Sequence, residues 1–191
     1  MGKFIIVTTL SALALAACSS TPTRSVTNYQ AQGNLESPKP SGCVEISKLS
    51  NEQNPVDIFT GLNICLSQNN YENAAELYFA GMAYGYFDTK RVSDKTAHQA
   101  ISVLRMNTFS SQSQESMEKL QSEITNILSS NAELCKKLSS LGAPEYKPTY
   151  MLQHGMGAFT GQSTNDDLVE SFDAEVTWEE SLAKIAKCGQ S

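Results

Sequence analysis

The chain of 191 residues has two histidines and one tryptophan, and several signatures of chemistry are missing from it. No GxSxG elbow presents a nucleophilic serine. Neither CxxC nor HxxxH occurs, so the usual ligand spacings of a zinc site are lacking, and without DxDxDG there is no calcium loop. Basic residues are outnumbered, 14 Lys and Arg against 20 Asp and Glu for a formal net charge of -6. That balance argues against a nucleic-acid partner, whose binding relies on a basic surface. Long apolar runs are missing too. The greasiest stretch, Phe4 to Ala17, is interrupted by Thr8, Thr9 and Ser11 and falls short of the about 20 residues that a spanning helix needs.

That stretch has a different logic. Lys3 precedes a short apolar core that gives way to small residues, the order of a secretory signal removed from the mature chain. The four residues Leu15, Ala16, Ala17 and Cys18 resemble the lipobox of bacterial lipoproteins. The resemblance implies cleavage before Cys18, transfer of a diacylglycerol to its thiol, and acylation of the freed amine. Two or more acyl chains hold a protein stably where one does so only marginally. Ser19 follows the cysteine and no Asp stands there. By the same resemblance, this implies sorting to the outer membrane with the domain facing the periplasm, the lipid being the membrane attachment. The expected organisation is a signal over residues 1–17, a lipidated cysteine and flexible tether over 18–42, and a single domain over 43–191. The tether is expected because Thr, Ser, Pro, Gly and Gln dominate it; a coil of that length reaches roughly 25 to 30 Å on average.

With Cys18 acylated, Cys43, Cys65, Cys135 and Cys188 remain, an even number in a compartment that permits oxidation. Two disulfides are expected. Four cysteines allow three connectivities, and spacing does not choose among them. Pairing Cys43 with Cys65 and Cys135 with Cys188 is preferred here because each bridge would tie a flanking segment to a nearby helix.

The domain reads as all-α, an irregular bundle of about five or six helices stapled by those bridges. Val56, Phe59, Leu62, Ile64 and Leu66 recur roughly at helical spacing before the polar turn SQNN. In the next segment Ala74, Leu77, Tyr78, Gly81 and Tyr84 or Gly85 form a stripe with small residues where another helix could approach closely. Asp94 is placed to cap a third helix carrying Ala97, Ile101, Leu104 and Phe109. Met117, Leu120, Ile124, Ile127 or Leu128, Leu134 and Leu138 mark one or two more, stopped at Gly142. YMLQHGMGAF predicts a short helix weakened by two glycines. Thr177 with Glu180 forms a capping-box pattern ahead of a last helix.

Between Val56 and Tyr84, the positions Tyr71, Ala74, Tyr78 and Gly81 resemble the second helix of a tetratricopeptide-like or Sel1-like hairpin. The tryptophan and glycine signals of the first helix are absent and no repeat at about 34 residues follows, so a hairpin rather than an array is implied.

For chemistry, His154 in QHGMG is the residue to suspect, since its flanking glycines would admit a ligand or another backbone. The competing reading is close packing, with His154 bonded to a buried carbonyl. His98 reads as a surface or hydrogen-bonded residue. The pairs Asp166 with Asp167 and Glu179 with Glu180 raise a glycosidase reading, against a solvated loop and the acidic first turn of a helix. Tyr78, Phe79, Tyr84, Tyr86 and Phe87 spread too widely around one helix all to face one core; core filling is the competing reading, and Tyr78, Tyr84 and Tyr86 are candidates, with His154, for partner binding. Two functions follow: a helical protein-interaction module of the envelope, such as an assembly component or a toxin-immunity-like binder, or a cell-envelope hydrolase or lipid-handling enzyme acting near His154. Neither needs a cofactor or metal.

Overall fold

In the computed structural model residues 31–161 and 167–189 are described; the lipobox with Cys18, and Asp166, lie outside them. The described residues form eight α-helices: α1 Pro55–Ser67, α2 Tyr71–Arg91, α3 Ala100–Phe109, α4 Gln114–Ser129, α5 Ala132–Leu141, α6 Thr149–Leu152, α7 Met156–Thr160 and α8 Ala174–Ala186. One isolated antiparallel bridge joins Val92 to Leu168. The all-α class is as the periodicity predicts. The helices outnumber the expected five or six because two segments are broken. At Asn131 the side chain donates to the carbonyls of Ala186 and Lys187, turning the chain between α4 and α5. Between α6 and α7 the chain is broken at Gln153–Gly155.

Helix α2 runs through the centre, packing on α1, α4 and α8, with Leu77, Phe79, Ala83, Tyr84 and Phe87 all buried. Small residues set the distances. A Cβ placed on Gly81 would lie 2.5 Å from Cε2 of Phe59, and one on Gly85 would lie 2.5 Å from Cδ1 of Ile101, so α1 and α3 both approach α2 where it has no side chain.

Both cysteine pairs are bridged as preferred from the sequence, Cys43 to Cys65 and Cys135 to Cys188. The first fastens the amino-terminal segment to α1 and the second fastens α5 to the chain just beyond α8.

Three expectations need correction. Residues 31–42 do not hang free as tether but are laid on the domain as a strap. Ser37 Oγ and Lys39 N donate to Asp57 Oδ1 at 2.7 and 2.8 Å, Gly42 O crosses α1 against Gly61, and Cys43 is bonded to Cys65. Positions 57, 61 and 65 form one stripe of α1 at i, i+4 and i+8, so the strap follows a helix face. Composition alone reads these residues as tether because their acceptor, Asp57, lies on another element. Asp57 also completes a capping box with Asn54 at the start of α1, which orders this junction. The second correction is at α8, which begins a turn earlier than the Thr177 pattern predicts. Asp173 caps it by accepting from Val176 N at 3.0 Å, and Thr177 is buried within the helix, its carbonyl accepting from Ser181 Oγ. The third is at Asp94: α3 begins at Ala100 behind a 3-10 turn, Ala97–Gln99, while the Asp94 side chain accepts from Thr96 and Gly157 instead of capping that helix.

Candidate functional site

At about 100° per residue, Tyr84 lies about 120° and Tyr86 about 80° around α2 from Tyr78, and the three tyrosines have three different surroundings. Tyr84 is buried, not at the surface as expected of a partner-binding residue. Its hydroxyl donates to Gly142 O at 3.1 Å, and its ring packs on Trp178 and Tyr146 with centroids 5.4 and 6.0 Å away. Burial, with Asp88 and Glu145 nearby, pushes its hydroxyl far above the ordinary range. The volume of an aromatic ring at the meeting of α2 and α8 outweighs the surface role its neighbours in sequence suggest.

Tyr86 is half-buried and donates to Glu180 Oε1 at 2.7 Å, the same oxygen that takes Lys90 Nζ at 2.7 Å. Glu180, one of the paired acids, is thereby used to join α8 to α2, and hydrogen bonds from Lys90 and Tyr86 hold its carboxyl below the ordinary value.

Tyr78 has a half-buried ring among aromatics. Phe79, Phe109 and Phe59 stand 5.9, 6.2 and 6.3 Å from it by centroid, and the Arg105 guanidinium lies 6.0 Å over it. Between α2, α3 and α4 these residues open into a shallow cleft of about 100 Å³ whose walls include Tyr78, Arg105, Phe109, Met117 and Ile124. Its chemistry is aromatic and aliphatic, with Arg105 and Gln121 as its polar side chains.

His154 lies in the break between α6 and α7. Its Nδ1 is 2.9 Å from Oδ1 of Asn34, so its partner is a side-chain amide of the strap in place of the buried carbonyl anticipated, and partial burial lowers its pKa from 6.5. Gly155 beside it serves close packing: a Cβ there would collide with the Asp94 carboxylate. The other histidine, His98, places Nε2 at 2.9 Å from Val92 O. Asp167 accepts from Ser93 through its backbone carbonyl. Among the described residues, no group of three or more His, Cys, Asp or Glu could hold a metal ion, and no helix is long and apolar enough to cross a membrane.

The sequence reading missed the most elaborate polar site. Asp88 on α2 is fully buried. Tyr150 and Tyr146 donate to its Oδ2 at 2.7 and 2.8 Å, and Arg91 Nε and Nη2 each stand 2.7 Å from its Oδ1. The guanidinium also lies 5.0 Å over the Tyr146 ring and 5.2 Å over Phe87. Burial pushes the Asp88 carboxyl up, opposed by Arg91 and the two hydroxyls. Burial with the adjacent carboxylate raises both tyrosines well above their ordinary range. The carboxylate and both hydroxyls are thus occupied within the cluster, Arg91 donates through Nε while its buried Nη2 is held by charge alone, and the cluster pins the segment PEYKPTY to α2. The sequence holds only its separate halves, an arginine three residues after a helical aspartate and tyrosines four apart in a proline-bounded segment, and nothing local joins them. Tyr146 also lines a charged cleft of about 470 Å³ with Lys39, Glu52, Asn54, Glu145 and Lys147, where Lys39 and Glu52 already pair.

Compared with known proteins, the chain matches no family model, no curated protein and no solved structure.

Proposed function

We propose that the chain is a lipid-anchored protein of the bacterial cell envelope, held through Cys18 at the outer membrane and facing the periplasm, whose disulfide-stapled helical domain acts by binding a partner protein. The anchor half of this reading rests on the order Leu15-Ala16-Ala17-Cys18 after a short apolar run. The binding half is carried by one observation, the cleft at Tyr78. Of the three candidate tyrosines it alone combines a half-buried ring with aromatic walls and a rim arginine, the residue types that dominate protein interfaces energetically. Tyr84 and Tyr86 are committed within the fold, and His154 to the strap.

The test is affinity capture from envelope extract with the mature chain and with two variants, Tyr78→Asp and the rim variant Arg105→Glu, each checked by circular dichroism. The reading expects both variants to keep native helical content and to lose at least tenfold in partner recovered. Undiminished capture by both would remove the Tyr78 cleft from the account. A folded His154→Ala variant that captures normally but has lost biological activity would replace binding by catalysis near His154.

A further inference from the structure

The Tyr78 cleft is small, and one of its lining residues, Arg105, is charged. Its volume of about 100 Å³ lies below the roughly 300–1,000 Å³ of pockets that hold whole small molecules and below the about 150 Å³ that takes a benzene ring. One aliphatic side chain of leucine or methionine size fits it. Leu120, buried, and Met117 and Ile124, half-buried, supply the apolar contacts for such a side chain. Arg105 is exposed on α3 with its guanidinium 6.0 Å over the Tyr78 ring and, among the described residues, it is in no ion pair. Two acids of α4 close to Met117 in sequence are engaged along their own helix: Glu118 accepts from Gln114 Nε2 at 2.8 Å, and Glu115 pairs with Lys119 at 2.7 Å. The charge of Arg105 is thus left for an incoming group.

These dimensions select among the ways a partner chain can dock. A helix laid in a groove anchors through side chains at i, i+4 and i+7, more than this cleft admits. Strand addition needs a sheet edge, and among the described residues the β contact is one isolated bridge, Val92 to Leu168. In an extended segment passing over the cleft, the residue next to the anchored one points to the opposite face, away from Arg105. A chain terminus meets both demands in one residue, because its apolar side chain and its α-carboxylate leave the same Cα. We infer that the Tyr78 cleft receives the carboxy-terminal residue of its partner, a leucine-sized side chain entering between α2, α3 and α4 and the free carboxylate lying on Arg105, with the Gln121 amide as a further donor. A guanidinium suits that group because its forked N–H donors match the two oxygens of a carboxylate. The inference rests on the binding role proposed for this cleft and names what the cleft reads.

Fluorescence anisotropy tests this with the full mature chain in phosphatidylethanolamine nanodiscs, empty nanodiscs serving as the blank. Three dye-labelled peptides are compared: Gly-Ser-Gly-Ser-Leu as the free acid, the same peptide as its carboxamide, and Gly-Ser-Gly-Ser-Leu-Gly-Ser, in which the carboxylate is moved two residues on. The free acid should bind at least about tenfold more tightly than either of the others, and the margin should shrink as salt is raised from about 0.05 to 0.5 M. Arg105→Gln, at an exposed position, should bring acid and amide within about twofold of each other, while Arg105→Lys keeps part of the preference; circular dichroism checks that each variant is folded. Equal binding of acid and amide, abolished for both by a folded Tyr78→Asp, would overturn the terminal-carboxylate inference and leave the cleft as a binding site. A preference for the acid that survives in Arg105→Gln would overturn it too. No binding of any of the three peptides up to about 1 mM would overturn it as well, with the cleft itself then judged by the envelope capture.

Discussion

Asp88 and Tyr150 stand 62 residues apart in the chain and meet at 2.7 Å in a site closed to solvent. Through this contact the central helix α2 holds α6, and α6 in turn holds the strap, because the carbonyl of the same Tyr150 accepts from Leu35 N. One residue thus links the core to the segment that carries the chain toward Cys18.

Removing the hydroxyl should show how much that link contributes. Tyr150→Phe leaves the buried Asp88 with one donor fewer, and a hydrogen bond to a charged group is worth about 1.5–3 kcal/mol. Urea unfolding should register a loss in that range with an unchanged slope. Arg91→Ala should cost more, about 3–5 kcal/mol, because it strips a buried carboxylate of its counter-charge. A Tyr150→Phe variant as stable as wild type would show that Asp88 does not depend on this donor.

The disulfides give a second prediction. Loop closure over separations of 22 and 53 residues constrains the unfolded chain by about 3 and 4 kcal/mol respectively. Replacing either pair by alanine should lower the free energy of unfolding by about that much in guanidinium titrations. Under denaturing, non-reducing conditions none of Cys43, Cys65, Cys135 or Cys188 should be alkylated. Alkylation of one of the four in full yield would contradict the bridge that cysteine belongs to.

The acid side of the pH profile belongs in part to His154. Its folded pKa is lowered from 6.5 by burial, so the unfolded chain takes up the proton first. The stability it contributes is present above about 6.5 and shrinks as pH falls through 6.5 toward the lowered native value. Melting temperatures recorded between about pH 5 and 7.5 should fall more on acidification in wild type than in His154→Gln, which lacks the titrating ring. Parallel curves for the two proteins would refute the assignment.

What could be read from the sequence was whatever repeats locally. Val56, Phe59, Leu62 and Leu66 announce α1 because burial on one face recurs every three or four residues, and SQNN ends it because polar turn residues break that period. The small residues Gly81 and Gly85 were legible as places of close approach. Asp88 was not, since its partners Tyr146 and Tyr150 come from a segment about 60 residues away and a helical aspartate among aromatics has no period of its own. The strap was misread for the same reason: Ser37 and Lys39 resemble linker until Asp57 is placed beneath them. Tyr84 shows the converse limit, an aromatic whose position on α2 fits surface or core equally until α8 and Trp178 are packed against it.

The claim on which the account turns is that Cys18 carries the lipid. Cells expressing wild type or Cys18→Ser and fed a clickable fatty acid provide the direct measurement. The account predicts label on the wild-type protein, a mature chain beginning at Cys18, and an unlabelled, uncleaved Cys18→Ser precursor. Label of equal intensity on the Cys18→Ser chain, or a wild-type protein that matures without acquiring any, would contradict it.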